Sequence, residues 1–303
     1  HATNGRIHCS FEQLKRTDDS GSSYGTISGR LSSRNPNLQQ QPTRGKISRS
    51  WRQIYLPDEG GIWACNDYSQ QEPRLLAHFA EKARVAGGST AAHIYRTDPQ
   101  ADNHTMMTKL IHSNYDSMSD VEREYHRKNA KTIFLGLCYG MQSAKLAASL
   151  GMPTATKELF DGRKITVAGK QGQALLDQFN VNVPYVLGMF RMTETTAKNR
   201  GYIRTLLGRR CRFPKDDNGN YMWTYKALNR LIQGSAADQT KAAMVQADRA
   251  GFPLQLQVHD ELDLTVERRN DAEELATIMR EAIPVNVPMR VDVETGPNWG
   301  EVS

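Results

Sequence analysis

Apolar and polar residues alternate most clearly near the carboxyl end, where Leu254, Leu256, Val258, Leu262, Leu264 and Val266 share one parity and predict extended strands. Asp260 falls on that parity between the two apolar runs. A carboxylate so placed has to be paired, turned outward at a hairpin bend, or bound to a cation. A second acid in a comparable setting, Asp67, ends the apolar run Ile62-Trp63-Ala64-Cys65 just ahead of a polar helix start. Two such carboxylates can hold metal ions for phosphoryl transfer. The plainer readings are a hairpin-turn acid at Asp260 and a strand-end cap at Asp67.

Elsewhere the pattern changes period. Residues 1 to about 50 are rich in Ser, Gly, Asn, Gln and Arg with little apolar periodicity, which predicts loops and short strands. After a strand near Ile62 to Asn66, Ser69-Gln70-Gln71-Glu72 matches the capping box that opens a helix, and Pro73 fits only in that helix's first turn. From Leu75 to about Ala250 the pattern is mostly helical, interrupted near Gly151 to Gly169 and at Pro214 to Gly219; Met289 to Val293 returns to period two. Helices inserted between strands imply an α+β plan, with a discontinuous sheet domain (residues 1–76 and 251–303) around a helical domain (77–250).

Composition adds limits. No run approaches the eighteen or so apolar residues of a membrane span, and the amino terminus has no signal-peptide pattern, so a cytoplasmic location is expected. Cys9, Cys65, Cys138 and Cys211 are scattered without a C-x-x-C pair and read as reduced thiols. Lys plus Arg exceed Asp plus Glu by 39 to 33, a net charge of +6 that modestly favours anionic partners. Arg30, Arg34, Arg44, Lys46, Arg49 and Arg52 form one basic cluster, and Arg200, Arg204, Arg209, Arg210 and Arg212 another.

Within the helical stretch, Arg127, Lys131 and Leu135 are four residues apart and lie along one helix face, where two stacked cations repel. An anion between them would relieve the repulsion, although a solvated basic face is the simpler explanation for an isolated helix.

These signals gain weight from their order: Ser28-Gly29-Arg30-Leu31-Ser32-Ser33-Arg34-Asn35-Pro36-Asn37-Leu38-Gln39, then Asp67 to Arg74, then Arg127 to Gly140, then Gln233-Gly234-Ser235-Ala236-Ala237-Asp238, then Val258-His259-Asp260-Glu261. In this order they resemble the polymerase module of family A DNA polymerases over nearly the whole chain. The resemblance implies a right-hand palm with an inserted helical fingers domain, and an enzyme that adds dNTPs to a primer 3′-hydroxyl. It implies that Asp67 and Asp260, with the Tyr68 carbonyl, hold two Mg²⁺ ions, for which Mn²⁺ can substitute, with Glu261 as the adjacent acid. It further implies that Arg127, Lys131 and His104 grip the triphosphate, that Tyr139 stacks at the templating position with Gly136 and Gly140 making room for a base, and that Glu72 excludes a ribose 2′-hydroxyl. Gln70 and Leu135 would complete the nucleotide site. Arg30, Asn37, Gln39, Asn229, Gln233 and His259 match minor-groove contacts to primer–template DNA, where donors test pairing geometry without reading sequence. Arg44 and the pair Arg209-Arg210 match phosphate contacts. Taken singly, His104 is an ordinary surface histidine, Tyr139 a core aromatic and Glu72 a capping acid.

The chain also departs from the pattern. The helical thumb and 3′–5′ exonuclease block that the resemblance leads one to expect ahead of Gly5-Arg6-Ile7-His8 do not precede His1, so the expectation is either a fragment of a longer protein or a thumb, exonuclease or processivity factor supplied from outside this chain. Leu135 stands where the family usually carries Phe or Tyr, and this residue, Pro73 and Gln39-Gln40-Gln41 give a phage-like or mobile-element-like character. A single-subunit RNA polymerase, a DNA-binding module whose catalysis has lapsed and a metal-dependent nuclease are the alternatives; Glu72 and the His259-Asp260-Glu261 block favour deoxynucleotides over the first. Leu135→Tyr is expected to increase dideoxynucleotide incorporation in primer-termination assays, and equal termination by variant and parent would refute that expectation.

Overall fold

The computed structural model describes residues 2–3, 5–17, 23–42 and 50–302. Arg44, expected near DNA phosphates, and Lys46 and Arg49 of the same basic cluster lie outside the described residues. The chain divides into two compact units: His1–Glu72, Arg204–Cys211 and Ile232–Ser303 form the first, and Pro73–Ile203 with Arg212–Leu231 the second.

The Ser- and Gly-rich start of the first unit forms short antiparallel ladders, β1 (Ala2–Thr3) with β2 (Arg6–Ile7), β3 (Ser10–Glu12) with β6 (Ser32–Arg34), and β4 (Arg16–Thr17) with β5 (Ser23–Tyr24). Its main sheet comes from distant stretches. The order is β12 (Leu254–Val258), β13 (Glu261–Val266), β7 (Ile62–Ser69), β14 (Arg290–Gly296), antiparallel throughout.

The shared parity of the 254–266 stretch does not give one common face. Val258 pairs with Glu261 across a two-residue turn, so the phase reverses at His259-Asp260. Leu256 and Val258 face a core with Leu38, Trp63, Cys65, Trp299 and Val302. Leu262, Leu264 and Val266 face the opposite core, with Ala64, Tyr68 and the helix Arg269–Glu281 through Ala272, Leu275, Ala276 and Met279. A register irregularity between Leu254 and Leu256 moves Leu254 to that second face, opposite Leu264. Asp260 therefore takes the hairpin-bend solution among the three that its burial pattern allowed.

The second unit is mainly helical: Gly88–Thr97, Asn103–Ile111, Asp120–Cys138, Ser143–Ser149, Lys170–Asn182 and Pro184–Arg200. Tyr95, Met107, Ile133, Phe179 and Tyr185 are fully buried in it. The interruption near Gly151 to Gly169 is a hairpin of β8 (Thr154–Glu158) and β9 (Lys164–Ala168). A short ladder of β10 (Tyr202–Arg204) and β11 (Arg210–Arg212) precedes the helix Ala227–Arg249. These units differ from the expected 77–250 insertion. From Ile232 onward the helix Ala227–Arg249 belongs with the sheet, where Ala243 and Ala247, small enough for close approach, pack into the core around Leu264 and Leu275. Leu275 has no exposed surface, so Leu275→Ala is expected to cost about 2–5 kcal/mol, read as a lower urea midpoint.

Candidate active site

In the first unit, sheet register brings the acids together. Asp67 on β7 lies opposite Glu261 on one side and Asp292 on the other. The Tyr68 N–H donates to the Asp260 carbonyl at 3.4 Å, which seats the hairpin turn beside Asp67. The Asp67 carboxyl is pushed up to about 8 by partial desolvation and then by repulsion from Asp260, Glu261, Asp292 and Glu294. Asp67 nevertheless remains open to solvent, and the repulsion is the part of this shift that a bound cation would remove. Burial likewise raises Asp260, against the fields of Arg30 and His259, and raises Glu261, against Asp263, Arg52 and Trp299. The acids thus form a cation-seeking cluster, and their oxygen ligands suit a hard divalent ion.

The turn carrying Asp260 is braced from below. His259 has a left-handed backbone (φ 58°), costly for a residue with a Cβ. Its carbonyl accepts from Gln257 Nε2 at 2.5 Å. Gln257 Oε1 in turn accepts from Gln39 Nε2 at 2.8 Å, and Gln39 Oε1 accepts from the Ser33 N–H at 3.1 Å. Gln39, expected at the minor groove, is buried and holds the turn instead. Asn37 caps the short 3-10 helix Leu38–Gln40 through its side-chain oxygen. His259 is exposed, and Asn229 and Gln233, four apart on the helix Ala227–Arg249, are half-buried on one face.

Glu72 is not the capping acid. Its helix runs Gln71–Lys82 with Gln70 (φ 55°) linking it to β7, so Ser69 is one residue too early for the cap, and the Glu72 carboxylate pairs with Arg30 at 2.9 Å. Pro73 falls in the first turn, as its ring requires. Burial and the neighbouring Asp260 hold the Glu72 carboxyl up, opposed by Arg30. Tyr68 contributes main chain only, since its buried ring donates through its hydroxyl to the Met279 carbonyl.

Sequence reasoning placed Arg209 on DNA phosphates, but its donors are used internally, on Asp238 Oδ1 at 3.1 Å, the Ser28 carbonyl at 2.6 Å and the Gly234 carbonyl at 3.0 Å. A Cβ at Gly29 would come within 2.6 Å of the Arg209 side chain, and one at Gly234 within 2.9 Å. The glycines at Ser28-Gly29-Arg30 and Gln233-Gly234-Ser235 therefore make room for this arginine. Arg210 is exposed.

In the second unit, Ser119 and Glu122 cap the helix Asp120–Cys138, which carries Arg127, Lys131 and Leu135. Lys131 is exposed, and Leu135 is half-buried. The anion relieving Arg127 is Asp102, which meets its Nε at 3.0 Å and its Nη2 at 3.3 Å. Asp102 also caps the helix Asn103–Ile111 by accepting from the Thr105 N–H and hydroxyl, both at 2.8 Å. Burial opposes these bonds without overcoming them, and the Asp102 carboxyl stays below its usual range. The same helix start holds His104, whose ring sits edge-on to Phe134. Burial, with repulsion from Lys131 and Arg127 against attraction from Asp102, lowers His104 to about 4. It is therefore neutral near pH 7. With Asn103 Nδ2 donating to Nδ1 at 3.3 Å, the remaining Nε2–H is the free donor.

Sequence reasoning missed Arg74, which is fully buried, stacks over Tyr95 at 4.6 Å and donates to the Pro99 carbonyl at 2.6 Å. Tyr95 donates to Asn103 Oδ1 at 3.1 Å, so Arg74 helps fix the helix start bearing Asp102 and His104. Gly136 and Gly140 do not open space for a base: a Cβ at Gly136 would meet Leu146 at 2.7 Å, and one at Gly140 the Tyr225 carbonyl at 2.6 Å. Tyr139, at the carboxyl cap of the helix, is 47% exposed.

The family model for DNA polymerase family A matches residues 1–301. The chain belongs to this family. A DNA-directed DNA polymerase of Pseudomonas phage M6 is 47% identical over 99% of the chain and 48% of that protein. The DNA polymerase DpoZ of Acinetobacter phage SH-Ab 15497 is 32% identical over 97% of the chain and 47% of that protein, and the thermostable DNA polymerase I of Thermus filiformis is 31% identical over 99% and 33%. The chain spans about half the length of the phage relatives. Among solved structures, the POL domain of Pol1 from M. smegmatis, in complex with DNA primer-template and dNTP, matches with a TM-score of 0.78 at 29% identity, covering 99% of this chain and 49% of that one. The antiparallel sheet and helical unit are thus those of a family A palm and fingers fragment, a family that uses divalent metal ions. Among the described residues no helix is long and apolar enough to cross a membrane.

His104 gives a pH prediction. Its folded value lies below the ordinary histidine value, so between pH 6.5 and 4 the unfolded chain binds more protons and stability falls as pH falls. The loss from pH 7 to pH 4 is on the order of 2 kcal/mol. His104→Gln is expected to flatten the pH dependence of the urea midpoint over that interval; an unchanged slope would refute the assignment.

Proposed function

We propose that this chain carries the polymerising site of a template-directed DNA polymerase, which joins dNTPs to a primer 3′-hydroxyl and releases pyrophosphate. The observation that carries the reading is the convergence of Asp67 and Asp260 at one end of the sheet, where desolvation and then repulsion from neighbouring acids push the Asp67 carboxyl up to about 8. Their carboxylates and the Tyr68 carbonyl are the ligands we assign to two Mg²⁺ ions, which Mn²⁺ can replace, with Glu261 as the adjacent acid. Bound there, such ions supply Lewis-acid stabilisation of both the attacking and the leaving oxygen of an in-line displacement.

The chain's own residues do the remaining work in this reading. Lys131 and Arg127 neutralise the triphosphate and the departing pyrophosphate, Arg127 after exchanging Asp102 for phosphate oxygens. His104 donates from Nε2–H as a neutral ring. Glu72, held by Arg30, excludes a 2′-hydroxyl, and Tyr139, Leu135 and Gln70 are the residues we assign to the base and sugar of the nucleotide. Asn37, Asn229, Gln233 and His259 present donors to the primer–template minor groove, and Arg30 contributes there alongside its pair with Glu72. Gln39 acts through Gln257 as a positioning residue. We assign the sheet unit to the palm and Pro73–Ile203 with Arg212–Leu231 to the fingers. Primer–template DNA and dNTPs are the partners in this reading, the same two that accompany the M. smegmatis POL domain in its complex.

Primer extension with Mg²⁺ and each dNTP, against matched rNTPs, tests the reading. Asp67→Asn and Asp260→Ala are each expected to lower extension by about a thousand-fold or more with folding intact by circular dichroism. Extension that persists in either variant, or rNTPs used as well as dNTPs, would overturn it.

A further inference from the structure

One cluster reaches inward from the proposed site: it shares Glu261 with that site, and its two buried members, Cys65 and Asp263, have no part in the proposed reaction. Cys65 on β7 lies directly opposite Asp263 on β13, and Glu261 lies two residues from Asp263 on the same strand face. One ligand atom from each of Cys65, Glu261 and Asp263 lies within 4.8 Å of the others, with Cys65 Sγ 3.9 Å from Glu261 Oε1. Asp263 has no exposed surface, and its oxygens face only the Glu261 carboxyl and the Cys65 thiol of the same cluster, with no amide, hydroxyl or cationic donor on them among the described residues. Buried carboxylates are normally paired or bound to metal. Asp263 sits among Trp63, Leu256, Val258 and Trp299, an apolar setting in which an unpaired acid is most costly.

From this geometry we propose that Cys65, Glu261 and Asp263 form a structural metal site for a thiolate-binding divalent ion of the zinc class, separate from the pair of ions assigned to Asp67 and Asp260. A thiolate with two carboxylates is a borderline-soft donor set, which suits Zn²⁺ and not Mg²⁺. In a tetrahedral zinc site the sulfur and oxygen ligands stand about 3.6 Å apart, so the observed spacing needs only a small contraction. Charge also balances. Three ionised ligands carry three negative charges, Arg52 is the cation whose field reaches both acids, and a divalent ion brings the total to zero. Outer contacts are at hand: Trp299 Nε1 donates to Glu261 Oε1 at 3.4 Å, and the buried Trp63 indole N–H faces the Cys65 sulfur on the same side of β7. Such an ion would tie β13 to β7 one ladder step below Asp67 and fix Glu261 at the rim of the active site.

The test reads metal directly and does not depend on polymerase activity. The full chain, loaded with Zn²⁺ and dialysed against Mg²⁺ buffer, is expected to retain a single zinc ion by elemental analysis. Loading with Co²⁺ instead should give a thiolate-to-cobalt charge-transfer band. Asp263→Asn and Cys65→Ser should each lose the ion and the band, whereas the double variant Asp67→Asn/Asp260→Asn should keep both. Should either cluster variant fail to fold by circular dichroism, the parent chain and the double variant still decide. No retained zinc and no band in the parent would overturn the proposal and identify the cluster as protonated acids beside a neutral thiol. A band that survives Asp263→Asn, or vanishes in the double variant, would overturn it as well.

Discussion

Mutual repulsion among carboxylates at one end of an antiparallel sheet is the constraint that organises the first unit. Two carboxylates roughly 5 Å apart, the spacing of directly opposed strand residues, repel by about 3 kcal/mol at an effective dielectric near 20. Asp67 experiences this from Asp260, Glu261, Asp292 and Glu294 together. Folding pays for the arrangement with sheet pairing and two apolar cores, one on each face of the β7 and β13 pair. The ladder leaves the acids no register in which to separate, because a one-residue slip would carry Leu262, Leu264 and Val266 out of their core.

The bracing around that end follows from the same need. A turn that presents Asp260 places His259 in a left-handed conformation, and a polar chain from Ser33 through Gln39 and Gln257 holds its carbonyl. Arg209 performs a comparable service nearby by joining the Ser28 loop, Gly234 and Asp238. Buried amides and guanidinium groups of this kind have little freedom to leave for a ligand, because each departure would leave carbonyls and carboxylates unpaired in a poorly solvated place. Conserving hydrogen bonds thus separates residues that touch substrate from residues that hold those that do.

That separation also explains what the amino-acid sequence disclosed. Strand and helix positions were legible because period two and period 3.6 are local, and Asp67 with Asp260 stood out as acids at the ends of apolar runs. Face assignment across 254–266 was not, since a two-residue turn and a bulge change phase without changing composition. Gln39 and Arg209 look like surface donors in sequence; only their burial and partners reveal structural duty. Gly136 and Gly140 signal close approach, but whether to a base or to Leu146 and Tyr225 is a tertiary fact. Asp263 was hidden by the same parity argument that exposed Asp260: alternation placed it on the polar side of β13, and the sheet turned out to be buried on both faces.

The rim and the interior of one face of the ladder therefore make different demands on charge. At the rim, Asp67 is open to water, and beyond its desolvation its acidity is weakened by neighbouring anions that a ligand or cation can screen. Two residues inward on the same strands, Cys65 and Asp263 lie in a core lined by tryptophan and aliphatic side chains, where water cannot supply the compensation. An apolar pair at these two positions would satisfy packing with no electrostatic cost, so hydrophobic burial alone gives no reason for a thiol facing an acid. Glu261 joins the two environments, with its strand position at the rim and its side chain reaching Cys65 and Trp299. Whatever neutralises the inner cluster, proton or metal, also sets how firmly Glu261 stands beside Asp67, and so couples the packing of the core to the charge of the site above it.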